Sequence, residues 1–334
     1  MLAYYIKNKG DFSTKSCNLK ILCDFDHIYF VEKHLDKFLK CYIIEALGET
    51  FMKIAISSES TCDLTQELIN ENDIKIIPYT IILGDEMVTD NADVPAKIFK
   101  FVEETKQLPK TSAINEMQYK EYFDSVLAEG YDAIVHISLS SGLTSSTSHA
   151  ITAAEKMQNV YVVDSKSLST GLALLVLYAK KLANAGEDAE TIAKKVEARV
   201  PFVQASFVVE KLDYLYKGGR CSALALFGAN LLKIRPQLVL KEGLIKPAKK
   251  YRGKMEKVVE NYCADTLSEF DNPDKTIGFV TYTTATPEMI ANAKEVLKNA
   301  GFEQVVETKA GGTITSHCGE HVLGILYLND GGKD

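Results

Sequence analysis

From Met52 onward the apolar residues follow two alternating rhythms, short strand-like runs and stretches with a period of about 3.6 residues. Ile54 and Ile56 open the first strand, and Leu64, Leu68 and Ile69 then recur along one side of a helix. Ile74 to Leu83 reads as one extended run rich in β-branched residues. Asn115 is the expected cap of a helix that buries Tyr119, Tyr122, Phe123, Val126 and Leu127 and ends at Gly130. Ala133 to Ile137 is a compact buried strand, followed by a Ser/Thr-rich turn and another helix. Val160 to Val163 forms the next strand. Ser169 is the expected cap of a long helix with Leu172, Leu175, Val176, Ala179 and Leu182 on one face, closed by Gly186. This βαβα order predicts an α/β fold whose parallel sheet carries helices on both faces. Ligands of such sheets bind at the carboxyl ends of the strands, where Ser138 to Ser141 and Asp164-Ser165 fall.

Beyond about Val200 the pattern changes. Ser206 to Glu210 is extended, and Gln237 to Lys249 reads as a hairpin turning at Gly243. Lys254 to Phe270 is helical, Ile277 to Tyr282 is a strand, and Pro287 starts a helix that ends at Gly301. Gln304 to Thr308 and His321 to Leu328 complete the set as strands. A hairpin mixed with βα units predicts a second α/β domain with a mixed sheet. The expected division is 52–203 and 204–330, with a ligand pocket between the two.

Residues 1–51 lack this rhythm, although Tyr29 to Val31, Leu35, Phe38, Leu39 and Tyr42 could share one helical face. Leu47-Gly48-Glu49 can be encoded by a purine-rich stretch resembling a ribosome-binding site, a short distance before Met52. Two readings stand side by side: Met52 is the start and 1–51 a translated leader, or 1–51 is a true N-terminal extension.

Composition narrows the function. With 334 residues, 46% hydrophobic and 25% charged, the chain is of ordinary globular make-up and needs no disulfide or metal staple. A net charge of −7 argues against a general nucleic-acid binder, which gains its affinity by neutralising phosphates. The seven cysteines form no Cys-x-x-Cys pair and no zinc spacing, as expected of reduced thiols in the cytoplasm. No signal peptide is apparent, and no apolar run reaches the roughly eighteen residues of a membrane span.

Four loops concentrate hydroxyl and glycine residues. In Ser57 to Leu64, Thr61 and Asp63 read as turn and cap residues, and Glu59 as a group that orders the loop. Pro109 to Ala113 is either a turn before a helix or a place where Thr111 and Ser112 present adjacent hydroxyls to a ligand oxygen. Leu139 to Ser146 opens a helix with more hydroxyls than one cap needs, Ser140 and Ser141 among them, which favours an anion or carboxylate. It lacks the Gly-Lys-Ser/Thr ending of a phosphate-binding loop. In Lys217 to Ser222, two glycines allow a tight turn that either aims Arg220 at a planar anion or leaves it solvated. His317, among glycines and hydroxyls before the last strand, is a candidate polar contact. His136, inside an apolar strand, is expected to be a satisfied core residue. Nothing in the sequence near Cys318 marks it as a reactive thiol.

These blocks, in this order, resemble the DegV family of bacterial fatty-acid-binding proteins. The motifs are Ser60-Thr61-Cys62-Asp63-Leu64, Lys110-Thr111-Ser112, Leu139-Ser140-Ser141-Gly142-Leu143, Val163-Asp164-Ser165-Lys166 with Ser169 and Gly171, and Gly218-Gly219-Arg220. Leu232-Lys233-Ile234-Arg235-Pro236 and Thr315-Ser316-His317-Cys318-Gly319 extend the match, which runs from Met52 to about Leu328. The resemblance implies a two-domain fold with a long-chain fatty acid between the domains. It implies that Thr111, Ser112 and Ser140 hold the carboxylate, with Arg220 and His317 at the same end. Some family members are the fatty-acid-binding subunit of a bacterial fatty acid kinase. They present the carboxylate to a separate ATP-using catalytic subunit that makes acyl-phosphate for phospholipid synthesis. By this resemblance the protein is a carrier with no cofactor, no metal and no catalytic residue, and it makes transient membrane contact.

The energetics agree. Each buried methylene contributes about 0.8 kcal/mol, while a buried carboxylate needs several donors. The sequence departs from the family at Glu59, where Asp is usual, at Ser145 and Ser146, where Gly and Thr are usual, and at Glu320-His321, where Pro-Gly is usual. The last departure bears on chain-length preference. Two other functions compete: a serine-dependent acyl hydrolase or transferase built from Ser140 or Ser141 with His317 and Asp164, and a lipid-responsive sensor. No Gly-x-Ser-x-Gly elbow supports the enzyme.

Overall fold

The computed structural model describes residues 52–221 and 234–333. The helix expected within 1–51 and the Leu232-Lys233 part of one motif lie outside the described residues. The first half runs β1 (Ile54–Glu59), α1 (Gln66–Glu71), β2 (Ile74–Ile77), β3 (Thr80–Leu83), β4 (Glu86–Thr89), α2 (Val94–Thr105) and β5 (Lys110–Ser112). It continues with α3 (Glu116–Ala128), β6 (Ala133–Ser138), α4 (Ser146–Ala154), β7 (Val160–Asp164), α5 (Ser169–Asn184) and α6 (Ala189–Arg199). Strands β2-β1-β6-β7 form a four-stranded sheet, parallel throughout.

Successive side chains of a strand point to opposite faces, and here both faces are apolar. Ile54, Ile56 and Val135 pack with α5 and α6. Ala55 and Ile134 pack with α3 and α4. The helices thus cover both faces, as the pattern predicted. Asn115 caps α3 as expected: its side chain accepts from the Gln118 N–H while the Gln118 side chain accepts from the Asn115 N–H.

Three expectations are corrected. The run from Ile74 to Leu83 is two strands in different sheets, divided at Pro78, which has no N–H to give to a ladder. After it, β3 joins β4 and β5 in a small antiparallel sheet, so Lys110 to Ser112 is a strand and not a turn. Ser169 and Asp63 do not cap the helices that follow them: the Ser169 hydroxyl donates to Asp63 Oδ2 at 2.5 Å, and the cap of α1 is Thr65, whose Oγ1 accepts from Leu68 N–H.

The second half contains β8 (Val203–Val209), α7 (Asp213–Lys217), β9 (Arg235–Lys241), β10 (Leu244–Tyr251), α8 (Met255–Glu269) and β11 (Ile277–Tyr282). α9 (Pro287–Asn299), β12 (Gln304–Lys309), α10 (Gly312–Cys318) and β13 (Val322–Leu328) follow. The sheet order is β10-β9-β8-β13-β11-β12, antiparallel except for β11 with β12. The β9–β10 turn places Glu242 and Gly243 at φ 56° and 78°, the left-handed pair that suits a two-residue hairpin. One face of this sheet packs on α8 and α9 through Val280, Ile325 and Tyr327. The other face sends Ala205, Phe279 and Leu326 into the same core as α5. The long helix therefore lies between the two sheets. Gly171, Ala173 and Leu174 are buried along with the face the sequence singled out.

A buried ion cluster ties the end of α6 to the second half. Arg199 Nε donates to Asp330 Oδ2 at 2.6 Å and Nη2 to Asp274 Oδ2 at 2.8 Å, with the guanidinium 4.4 Å from the Tyr178 ring centroid.

Candidate functional site

The carboxyl ends of β2, β6 and β7 lead into Tyr79, Leu139 and Leu168. These three residues line a cavity of about 370 Å³ closed on its other side by α7, β10 and α10. Its polar part is made by Thr111, Arg220, His317, Tyr79 and Thr144. The remaining wall is mostly apolar, with Leu143, Leu168, Leu215, Ile245 and Ile314.

Thr111 on β5 and His317 on α10 meet at 2.8 Å between Oγ1 and Nε2. The sequence assigned His317 to no element; Gly312 to Cys318 is a short helix whose first amides are taken by two acidic side chains from the first half. Asp63 Oδ1 accepts from Gly311 N–H at 2.7 Å, and Asp90 accepts from the N–H groups of Gly312 and Thr313 at 2.7 and 3.1 Å. Asp90 also accepts from the Thr313 and Ser60 hydroxyls.

Burial, together with the Arg220 charge, lowers the His317 pKa to about 4, so its ring is neutral at neutral pH. His317 Nδ1 is buried and has no hydrogen-bond partner among the described residues. Gly218 approaches that atom closely: a Cβ on Gly218 would lie 3.0 Å from it. Only glycine lets the Lys217 to Arg220 turn close over the imidazole. Arg220 Nη1 donates to Gly218 O at 2.7 Å, which folds the side chain back along this turn.

Of the six residues singled out from the sequence, the structure brings Thr111, Arg220 and His317 to one cavity and directs the other three elsewhere. Ser112 Oγ faces the Ala113 carbonyl at 3.4 Å. Ser140 is fully buried and donates to Gly243 O at 2.7 Å, fastening the serine loop to the β9–β10 turn. Ser141 is exposed and accepts from Lys166 Nζ at 2.8 Å, while Lys166 pairs with Asp164 at 2.5 Å. No hydrogen bond joins Ser140 or Ser141 to His317, so the serine–histidine arrangement of a hydrolase is not formed among the described residues. Tyr79, Thr144, Ser145 and Thr313 also line the cavity. Thr144 and Ser145 belong to the same serine loop, so its richness in hydroxyls was the available signal. Tyr79 was hidden in an apolar run.

Behind the loop stands Glu59, fully buried. It accepts from Ser138 Oγ at 2.6 Å, Tyr119 OH at 2.8 Å and Leu139 N–H at 2.9 Å, with His136 Nε2 at 3.3 Å. Burial opposes its ionisation, but the hydrogen bond and charge of His136, with Ser138 and Tyr119, outweigh it and hold the carboxyl below its usual range. His136 Nδ1 pairs with Ser57 Oγ at 2.8 Å, so both ring nitrogens are engaged. The sequence suggested that Glu59 orders its own segment, Ser57 to Leu64; instead Glu59 ends β1 and holds the start of the serine loop at Ser138 and Leu139. Cys318 lines the cavity, but burial pushes its thiol up to about 12, far from a thiolate at neutral pH. Among the described residues no group of His, Cys, Asp or Glu is placed to hold a metal ion, and no helix is long and apolar enough to cross a membrane.

Burial, with Asp90 adding to it, pushes Asp63 up to about 8. A carboxyl raised in the folded state binds protons that the unfolded chain has released. Its contribution to stability is complete below about pH 4 and is lost as pH rises to about 8. Asp63→Asn keeps an acceptor for Gly311 N–H and cannot ionise. Urea unfolding between pH 5 and 9 is expected to show a smaller alkaline loss of stability in this variant, and an unchanged slope would refute the assignment.

The family model described as "Uncharacterised protein, DegV family" matches residues 53–330. A DegV domain-containing protein of Clostridium acetobutylicum is 29% identical over 83% of this chain and 98% of its own length. A fatty acid-binding protein of Thermotoga maritima is 31% identical over 64% of this chain and 78% of its own. The solved structure described as fatty acid binding of a DegV family protein from Thermus thermophilus aligns with a TM-score of 0.76 and 26% identity, covering 83% of this chain and 99% of that one. By its motifs, its sheet topology and the family match over residues 53–330, the chain belongs to the DegV family.

Proposed function

We propose that this protein binds a long-chain fatty acid in the cavity between its two sheets, with the carboxylate at Arg220, Thr111 and His317. The observation that carries this reading is the make-up of the cavity wall: Thr111 bonded to His317 with the Arg220 charge acting on that ring, in a lining otherwise rich in aliphatic side chains. Arg220 supplies the charge that a buried carboxylate needs, and the Thr111 hydroxyl supplies a donor. His317, neutral and bonded to Thr111, positions that hydroxyl without adding a second fixed charge. The acyl chain lies along Leu139, Leu143, Leu168 and Ile245, gaining about 0.8 kcal/mol for each methylene buried. The relatives named for fatty-acid binding support the same ligand class.

The cavity wall reaches solvent at Arg220 and Ser145. Arg220 is half-buried and Ser145 is exposed. A separate ATP-using kinase subunit can approach there and phosphorylate the carboxylate, which gives this chain the role of acyl carrier in cytoplasmic lipid metabolism, loading and unloading by transient membrane contact. Denaturing extraction and mass spectrometry of the purified protein are expected to return one long-chain fatty acid per chain. Protein that stays empty after incubation with a fatty acid series would overturn the reading.

A further inference from the structure

The main cavity ends at a wall. Behind it is a second space of about 30 Å³, room for one water-sized group. Leu168, Ile314 and Cys318 line both spaces and are the partition between them. The far side of the second space is built from the second sheet, by Phe207, Val322 and Leu326. Several hydroxyls border it, but they are already engaged. Ser169 bonds Asp63, Thr281 pairs with Thr170 and Thr308, and Ser206 pairs with Tyr262. Their polar capacity is used within the protein, so the chamber suits a hydrocarbon end better than a polar group.

We propose that Ile314, backed by Leu168 and Cys318, is the stop that sets the longest acyl chain the protein accommodates. This rests on the fatty-acid reading of the main cavity. Ile314 and Cys318 stand four residues apart and so share one face of α10. That helix cannot slide to lengthen the cavity, because Asp63 and Asp90 hold the backbone amides at its start. The depth of the cavity is therefore decided by side-chain size at this partition. Leu168 and Cys318 are buried in the packing around it, whereas Ile314 is only half-buried and is the member most easily trimmed without opening the core.

Shortening Ile314 joins the two spaces. A chain that ends against the wall in the wild type then extends into the inner chamber, with a gain of about fourfold in affinity for each added methylene buried. A bulkier side chain does the reverse. The test is a binding titration with saturated fatty acids from dodecanoic to eicosanoic acid, using wild type, Ile314→Ala and Ile314→Phe. Circular dichroism checks that each is folded. Ile314→Ala is expected to shift the preferred length upward by about two methylenes, changing the long-to-short affinity ratio by about fifteenfold, and Ile314→Phe to shift it downward. Leu168→Ala opens the same wall from the residue that precedes α5 and carries the test if an Ile314 variant does not fold. Variants that bind with the wild-type length profile overturn the stop while leaving the carrier reading intact. A wild type that binds no member of the series overturns the carrier reading and the stop with it.

Discussion

Arg220→Ala is expected to weaken fatty-acid binding by about 2 kcal/mol or more, some thirtyfold, because it leaves a buried carboxylate without its counter-charge. The same substitution has a second readout in the empty protein. Two causes hold the His317 pKa near 4, burial and the Arg220 charge. Removing the charge leaves burial in place, so the pKa rises yet stays below the ordinary histidine value. A proton NMR titration of the His317 ring measures this directly. Arg220→Lys restores a charge but not the planar fork, and recovers only part of the affinity. In the wild type, a bound carboxylate offsets the Arg220 charge and so also raises the His317 pKa. On loading below pH 5, the His317 ring itself therefore takes up protons. An Arg220→Ala protein with wild-type affinity and an unmoved His317 titration would place the carboxylate elsewhere.

The largest expected loss of stability is at a position remote from the cavity. Arg199→Met is expected to destabilise the protein by about 3–5 kcal/mol, since it leaves the Asp274 and Asp330 carboxylates without their cation in a buried setting. The Met side chain replaces the aliphatic stem of Arg199, and its thioether takes the place of the guanidinium against the Tyr178 ring, so the loss is mainly of charge pairing. The midpoint of urea unfolding should fall sharply while the folded fraction still binds its ligand. A change of under about 1 kcal/mol would mean that water solvates the two carboxylates in the native state, making the cluster equivalent to a surface pair.

What the sequence disclosed follows the range over which each feature is decided. Strands β1, β6 and β7 were legible because they are buried on both faces and read as compact apolar runs. The caps of α3 and the turn at Glu242-Gly243 were legible because their partners lie within a few residues. The break at Pro78 was visible as a residue but not as a change of sheet, since the antiparallel partners of β3 are settled by register with β4 and β5. Helix α10 carried no start signal in its own sequence, because the groups that hold its first amides, Asp63 and Asp90, come from far upstream. The same limit applies to the site. Thr111, Arg220 and His317 stood out by chemical type, and the fold gathers them. The hydroxyls of Ser140 and Ser141 were equally conspicuous, but Gly243 and Lys166 claim them, and only tertiary packing brings those partners near. Tyr79 carried no local signal, since an aromatic residue after a strand is ordinary core.

Helix α5 contributes to the first sheet's core and also to the inner face of the second sheet. A chain cut near residue 200 would therefore give two fragments that each expose a broad apolar surface, and neither has the means to cover it alone. Amide protons of α5 should exchange only when the whole of residues 52–333 opens, making this helix the slowest-exchanging segment and a direct gauge of global unfolding. Acyl exchange on the time scale of carrier turnover must then use smaller local openings around the cavity mouth, because parting the two sheets would mean exposing the helix that both of them share.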